Sequence, residues 1–287
     1  MFFSGKLRLF SLKFPVISYC LLAFSITWGL KLLYTFYKSR YGLPVFNFSL
    51  IASFGPSIAA LLLLYISEGT NGFKPIFRSV LNWRIGIGWI LLASFFEPVI
   101  FWSITLAYGL AYNGFPLPQS ISVIMEIASY IGTFALGLFR WGLAEEIGWR
   151  GWLLPKLQYR LAPLPASLIL ALIASLWHIN PATISDVAVS KESAYLYVFC
   201  PEIVERLLIS IPITMVITWI FNKTGGNLLL AILFHSASNT SYFWIDEVFG
   251  IVKTDFFRMS FSVALVIVAI VFTTLLLHRH KKVVSLE

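Results

Sequence analysis

Charge is scarce in this 287-residue chain: Asp, Glu, Lys and Arg make up 12% of it, about half their share in an ordinary soluble domain. Hydrophobic residues reach 59% and the mean hydropathy is +0.84, which excludes a soluble fold built around one core. Cysteine is nearly missing too. Cys20 and Cys200 lie in apolar surroundings without C-x-x-C spacing, so neither a disulfide framework nor a cysteine metal or redox centre is implied. The strings H-E-x-x-H and G-x-S-x-G are absent and no Asp falls within the apolar cores. That removes the usual signatures of zinc, serine and aspartate hydrolases inside a membrane. No Ser-, Gly- or Pro-rich linker, internal repeat or low-complexity tract divides the chain.

What is present is a series of long apolar runs. A helix needs about 20 apolar residues to cross a hydrocarbon layer of ~30 Å. Stretches 14–37, 46–67, 85–112, 122–149, 163–180, 206–221, 227–244 and 257–278 meet or approach that length. The fold class is therefore all-α, a polytopic transmembrane helical bundle of about eight spans, with the lipid bilayer as its first partner. The first run follows Lys6, Arg8 and Lys13, exceeds a signal-peptide core and precedes no A-x-A cleavage pattern, so it reads as a retained helix. The net charge of +8 reads as loop charge and not as a nucleic-acid footprint; no nucleic-acid partner is expected. With the N-terminus inside, 13 of the 21 Lys and Arg fall on the cytoplasmic side and 7 opposite, Lys31, Arg206 and Arg258 being assigned to the outer side, with Arg140 inside a span. Both termini are thus expected in the cytoplasm. The His278-Arg279-His280-Lys281-Lys282 run reads as a stop-transfer anchor. Residues 72–84, with Phe73, Ile76, Phe77 and Val80 at helical spacing and Lys74, Arg78 and Arg84 elsewhere, predict a short interfacial helix.

An ionisable group at mid-membrane costs at least about 2.5–3.5 kcal/mol on insertion scales, so each needs a reason. Here they cluster. The fourth span carries Arg140, Glu145, Glu146 and Arg150, the fifth ends near His178, and the seventh carries His235 and Asn239. Residues four apart on a helix share a face. Glu146 therefore pairs with Arg150, Glu145 turns toward another neighbour, and His235 and Asn239 present a ring nitrogen and an amide to one place. Pro181 disfavours helix at Asn180, which puts His178 in a last helical turn. Gly148 and Gly151 permit a close backbone approach. A carboxylate, two imidazoles and a carboxamide suit hydrolysis: Glu145, helped by His178, takes a proton from water, and His235 and Asn239 donate to the oxyanion. Glu145, His178 and His235 are also a plausible zinc ligand set, so metal-bound water is the rival chemistry.

The ordered set Glu145-Glu146-x-x-x-Arg150, His178, His235-x-x-x-Asn239, with Thr224-Gly225-Gly226-Asn227-Leu228 ahead of the last pair, resembles the CPBP family. That family comprises the Rce1-type CAAX prenyl endopeptidases and the bacterial bacteriocin-processing or self-immunity (Abi) proteins. The resemblance covers roughly residues 120–245. It implies an intramembrane endopeptidase acting on a lipidated protein or a peptide, in which Glu145 and His178 activate water and His235 and Asn239 form the oxyanion hole. Glu146 and Arg150 take a supporting role. The expected division is 1–115 for N-terminal transmembrane helices with the interfacial helix, 116–250 for the catalytic helical core, and 251–287 for a last span with a basic tail. No cofactor is expected, zinc being the alternative, because Asn239 suits a donor better than a ligand. One departure is Ala174, where the family has Phe four residues before the histidine.

Two other functions compete: a non-enzymatic scaffold or immunity protein, and a transporter using the Glu/His cluster as a proton relay, against which the lack of an inverted repeat counts. Arg140, Glu97 and Glu126 read as interhelical glue. Trp149, Trp152 and Trp177 are placed equally well as substrate contacts or packing. Depth poses a difficulty, since His178 lies about 15 residues, or ~22 Å, from the cytoplasmic start of its span. Either the cavity is deep or a span is broken, and the fourth span with its continuation to residue 160 is long enough to conceal a break.

Overall fold

The computed structural model describes residues 5–41, 48–115, 122–179 and 200–277, whose regular elements are all helical. They are α1 (Gly5–Lys13), α2 (Pro15–Tyr41), α3 (Phe48–Ser53), α4 (Gly55–Glu68), α5 (Phe73–Val80) and α6 (Ile87–Ala111). Then follow α7 (residues 123–158), α8 (Pro163–His178), α9 (Cys200–Lys223), α10 (Leu228–Phe249) and α11 (Asp255–Leu277). The chain is a polytopic membrane protein: α2, α6, α7, α9 and α11 are long and apolar enough to cross a bilayer. Their outward faces carry exposed residues such as Leu110, Ile124, Met125, Val263 and Ile270, an apolar surface far larger than water tolerates.

The other three expected spans are helical but differ in kind. The second is cut at Phe54, where Pro56 opens a new helix, leaving α4 with 14 residues. The fifth is α8, with 16 residues. The seventh is α10, long enough at 22 residues but carrying buried Ser236, Ser238, Thr240 and Ser241. Polar residues of that kind survive at membrane depth when neighbouring helices enclose them. The interfacial helix is shorter than residues 72–84, ending at Val80. Asn180 and the basic run from His278 fall outside the described residues.

Three groups of side chains hold the bundle. Tyr19, Trp149, Trp152, Leu154 and Leu170 join α2, α7 and α8 with α4. Ile217, Ile220, Phe234 and Phe272 join α9, α10 and α11 with α6. Phe101, Trp244, Phe257 and Phe261 tie α6 to the end of α10 and the start of α11.

The base of α10 is built by the Thr224–Leu228 run. Gly225 and Gly226 have φ of 66° and 88°, a left-handed region that costs a side chain strain, and they turn the chain back on itself. Asn227 then caps α10. Its Oδ1 accepts from the Leu230 amide at 3.1 Å, and its Nδ2 donates to the Asn82 carbonyl at 2.8 Å. Ser79 of α5 accepts from the Leu228 amide at 2.8 Å and donates to the Gly226 carbonyl. These bonds pin the start of α10, seven residues before His235.

Candidate active site

Helix α7 is not a uniform helix. Two π-helical segments, Leu138–Leu143 and Trp149–Leu153, bracket a single α-helical stretch, Ala144–Gly148, which contains Glu145 and Glu146. Such widened turns redirect side chains and occur often at functional sites. The concealed irregularity of the fourth span is thus two bulges rather than a break, and the helix continues to Gln158. Ser57 of α4 donates to the Leu143 carbonyl at 2.8 Å, satisfying a backbone group at the first bulge. At Gly148 an added Cβ would collide with the Pro56 backbone and the Tyr19 hydroxyl, so α4 uses the close approach that this glycine permits.

The two glutamates diverge as a period of 3.6 requires. Glu146, wholly buried, accepts from Arg150 Nη1 at 2.8 Å. The same Oε1 accepts from His235 Nδ1 at 2.7 Å, joining α7 to α10. Arg150 also lies 3.5 Å from the Thr214 hydroxyl of α9, at the limit of a hydrogen bond. Glu145, 4% exposed, accepts from Trp149 Nε1 at 3.1 Å through Oε2. No other protein donor bonds its carboxylate among the described residues, and His235 lies within electrostatic range.

His178 closes α8, as Pro181 foreshadows. Its Nδ1 lies 2.8 Å from the Ala174 carbonyl, and since a carbonyl only accepts, Nδ1 carries the proton, and Nε2 bonds no protein group among the described residues. The contact uses backbone, so it does not depend on the side chain at position 174, Ala where the family has Phe. His178 is within electrostatic range of His235. Asn239, one turn beyond His235, is half-buried and its amide bonds no protein group among the described residues.

The structure thus joins Glu146, Arg150 and His235 by direct contacts, with Glu145 within electrostatic range of His235 and His178 likewise, while Asn239 follows one turn beyond His235 on α10. The alternative ligand set is not gathered: among the described residues no three His, Cys, Asp or Glu side chains form a group able to hold one metal ion. Trp149, Trp152 and Trp177 are at most 5% exposed and pack, with Tyr19 stacked on Trp152 at 5.0 Å and Trp149 edge-on to Trp177 at 5.7 Å. Tyr19 and Thr27 were not singled out by the sequence. Thr27 accepts from Trp177 Nε1 at 2.9 Å and Trp28 donates to the Trp177 carbonyl at 3.1 Å, so α2 fixes the turn that ends in His178. A polar residue in an otherwise apolar span was the available signal for Thr27.

Fold and site together define a multi-pass membrane protein that concentrates acid, imidazole and guanidinium at the centre of a helical bundle. Residues 127–241 match the family model of Type II CAAX prenyl endopeptidase Rce1-like proteins. A 99-residue stretch is 31% identical to the CAAX prenyl protease 2 of Methanococcus maripaludis, covering 33% of this chain and 34% of that protein. The match therefore spans about a third of that relative's length.

Proposed function

We propose that this protein is an intramembrane endopeptidase that hydrolyses a peptide bond of a membrane-associated protein or peptide, a CAAX-type lipidated tail or a bacteriocin-like peptide, without a metal. The observation that carries the reading is the Glu146 carboxylate shared by Arg150 and His235, beside a Glu145 that keeps a free carboxylate oxygen. Glu145 binds water and takes its proton as the oxygen attacks the carbonyl carbon; the Nε2 of His178 accepts a second hydrogen bond and aligns that water. General-base catalysis of this kind contributes roughly 10²–10⁴-fold. His235 donates to the oxyanion from Nε2 as the imidazolium whose Nδ1–H is held by Glu146, and Asn239 donates from its free amide. One such donor is typically worth about 3–4 kcal/mol. Glu145 then returns its proton to the departing amine.

The catalytic unit in this proposal is residues 116–250, the chain crosses the bilayer about eight times, and both termini are cytoplasmic. The test is cleavage of a fluorogenic panel containing farnesylated tetrapeptide tails and short hydrophobic peptides, by wild type and Glu145→Ala, with and without chelator. Cleavage that survives chelator and vanishes in the variant is the expected result. Loss to chelator with rescue by zinc would overturn the metal-free mechanism. A wild type that cleaves nothing on the panel would favour the non-enzymatic scaffold or immunity protein.

A further inference from the structure

Glu97 stands in the middle of α6, 3% exposed, in a helix that is otherwise apolar over that depth. Helix register explains what it faces. Phe96 packs against Phe234 and Phe101 against Tyr242, each with ring centroids 6.1 Å apart, so α6 and α10 advance side by side in the same direction. Glu97, one turn before Phe101, meets Ser238, one turn before Tyr242, and His235 is the charged or titratable group beyond it. Ser238 lies between His235 and Asn239 in sequence, in the same turn of α10. Among the described residues neither carboxyl oxygen completes a hydrogen bond to a protein group and no ion pair involves Glu97, Ser238 being the hydrogen-bonding side chain near enough to act on it.

A buried carboxylate that makes no ion pair is strongly disfavoured, and the imidazole of His235 is already engaged by Glu146, so Glu97 fits as a hydrogen-bonding side chain and not as a counter-ion. The neighbouring Pro98 removes an amide from α6 at this level, loosening the helix where the carboxyl must swing to close on the Ser238 hydroxyl. We propose that Glu97 is a positioning residue of the candidate active site: through Ser238 it holds the turn of α10 that presents His235 and Asn239. This role rests on the peptidase reading for its kinetic consequence, but the geometry it predicts at His235 does not.

Two measurements test it. The first uses a fluorogenic peptide with a farnesylated cysteine and a tetrapeptide tail. Glu97→Ala lowers kcat about tenfold with KM changed less than about twofold, as expected when a reacting group is misplaced but the substrate still binds. Glu97→Gln, which keeps shape and hydrogen bonding, recovers kcat to within about threefold of wild type, Ser238→Ala matches Glu97→Ala, and the double variant is no worse than either. Additive losses, a Gln variant no better than Ala, or an unchanged kcat in Glu97→Ala would each overturn the proposal. If Glu97→Ala does not fold, the Gln and Ser238→Ala variants decide by the same criteria.

The second measurement needs no substrate. The chain has four histidines, so ¹⁵N-histidine labelling of protein in lipid nanodiscs gives few ring signals, assigned to His235 by substitution. One sharp His235 ring environment is expected in wild type and Glu97→Gln, and shifted or multiple signals in Glu97→Ala and Ser238→Ala. Identical His235 signals in all four overturn the proposal. Absence of cleavage by wild type, by contrast, overturns only the peptidase reading.

Discussion

Glu146 and Glu145 are adjacent, yet their surroundings assign them different work. Glu146 shares one oxygen between Arg150 and His235 at 2.8 and 2.7 Å, so removing its carboxylate strands a buried guanidinium. Breaking a buried pair from one side costs about 3–5 kcal/mol. Glu145 gives up a single bond from Trp149, worth about 1–2 kcal/mol. The expected outcome is a division between stability and activity. Glu146→Ala lowers the unfolding midpoint in detergent strongly, whereas Glu145→Gln barely moves it yet reduces cleavage by roughly 10²-fold or more. Equal stability losses would mean the two carboxylates are not divided in this way. The Glu146–Arg150 half of this arrangement was legible, because i,i+4 spacing is written in the chain. The His235 half was not, since nothing in a linear sequence encodes which face of α7 meets which face of α10 across 89 positions.

At the scale of elements, α7 does the positioning, and its two π-helical segments aim Glu145 and Glu146 inward. Close packing against α4 holds that geometry at Gly148, where a Cβ meets backbone that cannot turn aside. Overpacking of this sort costs about 1–3 kcal/mol. Gly148→Ala is therefore expected to lower both the unfolding midpoint and the cleavage rate. Gly132→Ala, in the same helix with open space around it, should be neutral or stabilising by up to about 1 kcal/mol. Similar behaviour of the two variants would mean that α4 does not brace the site. Asn227 supplies the second brace. Asn227→Ala removes a helix cap and the bond to Asn82, an expected loss of about 1–2 kcal/mol in unfolding measurements, and no loss would show that the base of α10 is held by α5 alone. The sequence displayed the excess length of the fourth span but not its form, because π turns arise from packing against α4 and α10 and not from local propensity. The turn before α10 is different, because two consecutive glycines and an asparagine are the residues that a left-handed turn and a helix cap use locally, although in the sequence that run stands out only through the family resemblance.

For the molecule as a whole, the hydrogen bonds sort the connections into two ends. Ser79 and Asn82 meet Gly226 and Asn227 at one end, while Trp28 meets the Trp177 carbonyl toward the other, where α8 finishes at His178. On the expected eight-span topology the excess of Lys and Arg falls at the first end together with the N-terminal stretch, a bias that predicts this end in the cytoplasm. The expectation is checked with single-cysteine variants in a background lacking Cys20 and Cys200. Ala162→Cys, at the start of α8, should resist an impermeant maleimide applied to intact cells, and Lys253→Cys, on the exposed turn between α10 and α11, should react. With that result, His178 stands about 22 Å above the cytoplasmic end of α8, and a peptide approaching the His178 end comes from the outer side, as an exported or membrane-embedded substrate does. The reverse labelling pattern would overturn the orientation and place the same end of the bundle within reach of lipidated tails in the cytoplasm.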